Sequence, residues 1–242
     1  AMGSDNISSR FIKQNVDILT PTLTKYINKS FIEGKFPECL KHARVTPLLK
    51  SSDSHEPKNF RPISVLPLFS KIFETAIKSR LVNFLTDNNL IHNRQYGFMP
   101  KSNTSVAASC LINDIYISLN DKKKTSMLAL DISKAFDCIN HKVLKRRFLK
   151  FGIRGKVLKL LLSYLSNRTQ TVTYNNEKSS TSTINSGCAQ GSVLGPIIFL
   201  IYINSIFHLK LHGKLRLFAD DAALVYSADS YEILYQKMKE DI

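Results

Sequence analysis

Between Leu215 and Tyr226 the chain reads Leu-Arg-Leu-Phe-Ala-Asp-Asp-Ala-Ala-Leu-Val-Tyr, two apolar arms about an acidic pair. The arms carry Leu, Val, Phe and Tyr in a partly period-two pattern, which predicts two short strands folded back at Asp220 and Asp221. Such a fold sets two carboxylates at a hairpin tip. A solvated surface turn is the plain alternative, since Asp favours turns for its own hydrogen-bonding reasons. The rest of the sequence has to decide between them.

A third carboxylate comes from upstream. Met127 to Leu130 is a short apolar run ending on Asp131, the pattern of a buried strand that delivers a carboxylate at its end. If the strands are neighbours in one sheet, Asp131 meets Asp220 and Asp221 across 89 residues of sequence. Such convergence suits two divalent ions about 3.5–4 Å apart, one activating an attacking 3′-hydroxyl and the other holding a triphosphate and its leaving group. Magnesium fits an all-oxygen site of this kind, keeping water and substrate phosphates as its other ligands.

Charge points the same way. Lys and Arg number 34 against 19 Asp and Glu, a formal charge of +15 with a pI near 9.7, which is the electrostatic footprint of a phosphate-backbone binder. Residues 121–170 hold 13 Lys or Arg and three Asp, whereas six of the 19 acids lie beyond residue 219. A polyanion along the middle of the fold, with carboxylates kept for one edge, accounts for that asymmetry. The 242 residues suffice for one large domain or two subdomains, and 43% hydrophobic residues argue against disorder. Cys39, Cys110, Cys138 and Cys188 are too scattered for a zinc ribbon or a redox pair, so a reduced, intracellular setting is expected. No apolar run reaches membrane-spanning length and no signal-peptide pattern opens the chain, so a soluble protein with no membrane partner is expected. Ala1 to Ser4 reads as either a cloning scar or natural sequence.

Residues 7–32 have near-helical apolar spacing interrupted by Pro21, predicting two helices divided there. Ala43 to Leu49 predicts a strand running into Lys50 and a polar loop, and Arg61 to Val65 a second extended piece. Helices follow over about Leu68–Thr86 and Thr104–Leu119, the latter capped at Ser102 or Asn103, with a turn at Gln95-Tyr96-Gly97-Phe98 between them. Past Asp137 the pattern is helical with Lys142, Lys145, Arg146, Arg147 and Lys150, then helical again over Lys156–Leu165. Thr169–Tyr174 and Ser180–Ile184 read as a hairpin. Gly187 to Pro196 is glycine-rich, presents Gln190 and would allow close backbone approach to a ligand; an apolar helix from Ile197 to Phe207 follows. No internal repeat, low-complexity tract or domain linker is visible.

Five motifs in fixed order then carry a resemblance: Asn-Phe-Arg-Pro-Ile-Ser at 59–64, Gln-Tyr-Gly-Phe at 95–98, Leu-Asp-Ile-Ser-Lys-Ala-Phe-Asp at 130–137, Gln-Gly-Ser-Val-Leu-Gly-Pro at 190–196 and Phe-Ala-Asp-Asp at 218–221. Together they resemble the reverse transcriptase domain of non-LTR retrotransposons of the LINE or jockey-like kind. The resemblance implies an α+β right-hand polymerase core with an antiparallel palm sheet packed on helices, fingers over about 1–100 and 146–190, and palm over about 101–145 and 191–242. It implies an RNA-directed DNA polymerase that joins dNTPs to a DNA primer on an RNA template, using two Mg2+ ions with Mn2+ as a substitute. Asp131, Asp220 and Asp221 would hold the metals, Asp131 and Asp220 more directly, while Ile132 would lend only its backbone. Arg61 and Lys50 would meet the incoming triphosphate, a role suited to arginine's forked donors. Gln190 would border the nucleotide pocket and Phe136 would lie under the sugar.

Ala189 stands where the family usually has proline, and Phe218 where tyrosine is commoner. Ile242 falls before the family's remaining palm segments and thumb, so a fragment without a thumb is expected, with an inactive RNA- or RNA-DNA-binding remnant as the rival reading. Residence in nucleus and cytoplasm within an element ribonucleoprotein is also implied. His208 and His212 have a metal-pair spacing, but no third ligand or nearby Glu supports them.

Overall fold

The structure is a computed structural model that describes residues 3–49 and 56–242. In chain order its main elements are α1 (Ser9–Gln14), α2 (Val16–Glu33), β1 (His42–Leu49), β2 (Phe60–Val65), α3 (Leu68–Asp87), α4 (Thr104–Asn120), β3 (Lys124–Asp131), α5 (His141–Lys150), α6 (Gly155–Leu165), β4 (Arg168–Tyr174), β5 (Glu177–Lys178), β6 (Ser182–Ile184), α7 (Gly195–Ile203), β7 (Lys214–Phe218), β8 (Asp221–Ala228) and α8 (Tyr231–Asp241). Helices and two sheets alternate as an α+β chain requires. Caps fall where short polar side chains precede periodic segments: Asn103 accepts from Val106 N–H at 2.9 Å, and Asn140 from both Lys142 and Val143.

One boundary moves. The first two helices divide at Asn15 (φ −117°, ψ 23°), and Pro21 lies inside α2. At the sixth position of that helix Pro21 removes a single bond, to the exposed Asp17, whose carbonyl can turn to water while the later turns stay intact. The apolar helix also stops earlier than its composition suggests, giving way to a 3-10 turn over Asn204–His208.

The chain forms two compact units, each built from two separate stretches: residues up to Phe84 with Phe136–Ile198, and Leu85–Ala135 with Phe199–Ile242. In the first unit β2 pairs antiparallel with β1, and β1 pairs parallel with β4, which in turn takes β5 and β6 as antiparallel partners. Helices α3, α5 and α6 supply much of its core, where Phe36 meets Phe73 and Tyr164 edge to face, with ring centroids 6.1 and 5.1 Å apart.

The second unit is a three-stranded antiparallel sheet in the order β3-β8-β7. One face buries Leu215, Leu217, Ala222, Leu224 and Tyr226, packed with Leu128, Ile206, Phe207 and Met238. The period of two puts Ala129, Asp131, Asp221, Ala223, Arg216 and Phe218 on the other face, where α4 packs. Among the described residues, no helix is long and apolar enough to cross a membrane.

Candidate active site

Asp131 is the last residue of β3 and Asp221 the first of β8, and the two are direct register partners. Their Cα atoms are therefore roughly 4.5–5.5 Å apart with both side chains on one face of the sheet. Asp220 precedes Asp221 in the two-residue turn that joins β7 to β8. Asp131 and Asp221 are exposed and Asp220 half-buried. Among the described residues no hydrogen bond or ion pair engages any of the three side chains, and no group of three or more His, Cys, Asp or Glu is placed to hold a metal ion by itself. A cavity of about 440 Å³ adjoins Asp131 and Asp221, walled by Ala107 and Leu111 of α4, Tyr96 and Phe218. Asp131 and Asp221 are unpaired hard oxygen donors on one open face, which suits a divalent cation whose remaining ligands come from water and substrate.

The turn itself has an unusual backbone. Ala219 has φ +57°, whereas Asp220 does not have positive φ; positive φ at the first position alone is the II′ pattern, which favours Gly. An alanine held there costs about 1–2 kcal/mol. The Gln-Tyr-Gly-Phe stretch, read from sequence as a turn and as one of the five motifs but given no role, lies against it. Gln95 is buried and its Oε1 accepts from Ala219 N–H at 3.0 Å and Gly97 N–H at 2.8 Å, while Nε2 donates to the Ala219 carbonyl at 3.3 Å. Gly97 comes so near that a Cβ on it would lie 2.2 Å from Ala219 N. Nothing local in the sequence says that Gln95 and Gly97 meet Ala219, 124 residues downstream of Gln95.

Behind the turn, Asp114 of α4 is buried and pairs with Arg216 Nε and Lys214 Nζ of β7, and Arg216 also donates to the Tyr96 hydroxyl. Burial by itself would raise the Asp114 carboxyl, but hydrogen bonds from Arg216 and Lys214 outweigh it and hold the group below the usual carboxylate range.

The other expected residues belong to the first unit. Arg61 is exposed on β2 opposite Leu48 of β1, and Lys50 lies outside the described residues. The Gln190 carbonyl accepts from Ser64 N–H at 2.8 Å, which ties the glycine-rich loop to the strand that carries Arg61. Gln190, half-buried, borders a cavity of about 330 Å³ with Pro62, Ser64, Asp137 and Gln170. Gly191 (φ +113°) is required by the protein's own backbone, not by room for a ligand, because a Cβ there would lie 2.7 Å from the Ser64 carbonyl. Glu74 of α3, fully buried, accepts from Val193 and Leu194 N–H at 2.6 and 3.1 Å and so holds the far end of the loop. Burial pushes the Cys188 thiol up to about 12, so it stays protonated at neutral pH. Phe136 has a half-buried ring, and its carbonyl accepts from Cys188 N–H at 2.9 Å.

Comparison with known proteins joins these pieces. Residues 48–240 match the family described as Reverse transcriptase (RNA-dependent DNA polymerase). The "Probable RNA-directed DNA polymerase from transposon X-element" of Drosophila melanogaster is 33% identical over 71% of this chain and 19% of its own length. The "RNA-directed DNA polymerase from mobile element jockey" of the same species is 28% identical over 85% of this chain and 22% of its own length. The chain thus spans about a fifth of the length of the curated relatives it matches. A telomerase from Candida albicans, solved in complex with a TWJ fragment of telomeric RNA, matches at a TM-score of 0.60 and 13% identity over 85% of this chain and 41% of its own, a likeness that shows a shared right-hand polymerase fold. The chain belongs to the reverse transcriptase (RNA-dependent DNA polymerase) family, among the non-LTR retrotransposon members.

Proposed function

We propose that this chain is the catalytic core of an RNA-directed DNA polymerase that joins dNTPs to the 3′-hydroxyl of a DNA primer on an RNA template. The observation that carries the reading is the register of Asp131 with Asp221, with Asp220 in the adjoining turn and all three side chains unengaged by described residues. Enzymes of this family use divalent metal ions, and here the ions are two Mg2+, replaceable by Mn2+. When bound, they would supply activation of the attacking hydroxyl and neutralisation of the triphosphate. Asp131, Asp220 and Asp221 would hold them. The exposed face leaves room for water and phosphate oxygens as the remaining ligands.

The remaining roles fall to residues of the first unit. Arg61, with Lys50, takes the triphosphate through charge-assisted bonds, and Gln190 borders the incoming nucleotide. Phe136 excludes the ribose 2′-hydroxyl, the group that separates the two classes of nucleotide. The fingers are assigned to about 1–100 and 146–190 and the palm to about 101–145 and 191–242. Along α5 and α6, Lys142, Lys145, Arg146, Lys150, Arg154, Lys156 and Lys159 are exposed, with no acidic residue between 138 and 176, which suits a nucleic-acid backbone. The enzyme is assigned to the nucleus and cytoplasm, within a ribonucleoprotein of its element.

Primer extension by the intact polymerase on an RNA template, with Mg2+, tests the reading. Asp220→Asn should abolish extension while leaving folding and RNA binding intact. Extension undiminished in Asp220→Asn would overturn the metal assignment, and RNA binding without extension by the unaltered enzyme would leave a binding protein in its place.

A further inference from the structure

Asp220 has no side-chain partner among the described residues, so the direction of its carboxylate is set by its backbone. The peptide that precedes it is that of Ala219, a non-glycine residue at φ +57°. In an isolated hairpin an alanine at this position would return to negative φ. Here both backbone polar groups of Ala219 are engaged by one side chain: its N–H donates to Gln95 Oε1 and its carbonyl accepts from Gln95 Nε2. The segment that presents Gln95 is fixed in turn to β7, with Tyr96 N–H donating to the Leu217 carbonyl at 2.8 Å and Leu217 N–H to the Arg94 carbonyl at 2.9 Å. Residues 94–96 thus run as a short parallel rail beside β7 up to the turn. Gly97 ends the rail with its Cα against Ala219, an approach that any side chain would block.

We infer that Gln95 is a positioning residue for the metal-binding turn: its amide holds Ala219 in the left-handed conformation and thereby aims the Asp220 carboxylate, without touching metal or substrate. The inference rests on the assignment of metal binding to Asp131, Asp220 and Asp221. A neutral amide suits the task. It supplies one acceptor and one donor to the same residue, and it adds no charge beside three carboxylates. A carboxylate at position 95 would keep the acceptor, lose the donor and oppose the Ala219 carbonyl; an apolar residue of equal length would lose all three bonds.

The test uses this chain, with amide hydrogen exchange at Ala219 followed by NMR and a Mn2+ titration followed by paramagnetic broadening of the Asp131, Asp220 and Asp221 amide signals. Gln95→Met keeps the volume and removes the bonds. It should speed exchange at Ala219 by roughly tenfold and raise the Mn2+ midpoint several-fold, with the β3–β8 signals otherwise in place. Adding Ala219→Gly, which adopts positive φ without help, should bring the midpoint back toward that of the unaltered chain. A purely structural role for Gln95 would not be rescued in this way. An unchanged midpoint in folded Gln95→Met, or a raised midpoint that Ala219→Gly leaves as it was, overturns the inference. If Gln95→Met does not fold, recovery of the fold in the double variant supports the inference and failure of both overturns it. Absence of Mn2+ binding in the unaltered chain would instead refute the metal assignment, and the exchange of Ala219 would still judge the clamp.

Discussion

Glu74 and Asp114 are both carboxylates buried on helices, one in each unit, and each ties its helix to a segment that carries residues of the proposed site. Glu74 takes the N–H groups of Val193 and Leu194 beyond the Gln190 loop; Asp114 takes Arg216 and Lys214 on the strand that leads to the acidic turn. Their protonation moves in opposite directions. Burial raises Glu74 above its ordinary value of 4.5, and the bonds from Leu194 and Ser70 and the field of Arg168 only partly offset it. Asp114 has two cations in direct contact and falls below its ordinary 3.8. The contrast sets a carboxylate held mainly by neutral donors, where desolvation wins, against one in contact with two cations, where their hydrogen bonds and charge win.

The largest effect is expected at Asp114. Asp114→Ala leaves Arg216 without its buried counter-charge and should cost about 3–5 kcal/mol of unfolding free energy, read by urea denaturation at neutral pH; a loss under about 1 kcal/mol would mean that the cations find solvent instead. Glu74→Ala strands two backbone N–H groups and should cost somewhat less, about 2–3 kcal/mol, measured in the same way. The sign of the pH dependence sharpens the contrast. Because Asp114 is lowered in the folded chain, its contribution is present above 3.8 and is lost as pH falls through the folded-state value. Because Glu74 is raised, its contribution is full below 4.5 and is lost as pH rises through the folded-state value. Acidification from about pH 8 to about pH 3 should therefore destabilise the unaltered chain relative to Asp114→Asn and stabilise it relative to Glu74→Gln; slopes of the same sign for both pairs would refute the contrast. The smallest effect is at Lys214, whose side chain is 43% exposed: Lys214→Met should change stability by under about 1 kcal/mol, in contrast to the loss at its shared partner.

Neither anchor is visible in the sequence. Glu74 follows Phe73 on an otherwise apolar helix face and reads as a solvent-side residue, because its partners lie about 120 positions away. Gln95 is hidden in the same way, since Ala219 is 124 residues downstream. What could be read is what local periodicity encodes: the strand ending on Asp131, the arms around Asp220 and Asp221, and the extent of α3 and α4. Pro21 misled because the penalty for proline depends on how much helix lies on each side of it and on whether water can reach the freed carbonyl. The glycines after Ser186 were legible as a need for closeness, but closeness to Ser64 depends on a strand pairing that composition does not record. The division into two units leaves no long linker to find, since two of the three crossings fall inside α3 and α7 and the third, between Ala135 and Phe136, in the short stretch from β3 to α5.

The interleaving of those units bears on how the protein is made. Synthesis from the N-terminus delivers β1 and β2 first, but β1 waits for β4, more than 100 residues later, to complete its sheet. In that interval β3 emerges with Met127, Leu128 and Leu130 and has no strand to pair with, since β8 begins only at Asp221. Contacts so distant in sequence form slowly, and an apolar strand without a partner is prone to self-association meanwhile. Asp131 thus has no sheet to stand on until residue 228 has left the ribosome, and β3 must be shielded until then.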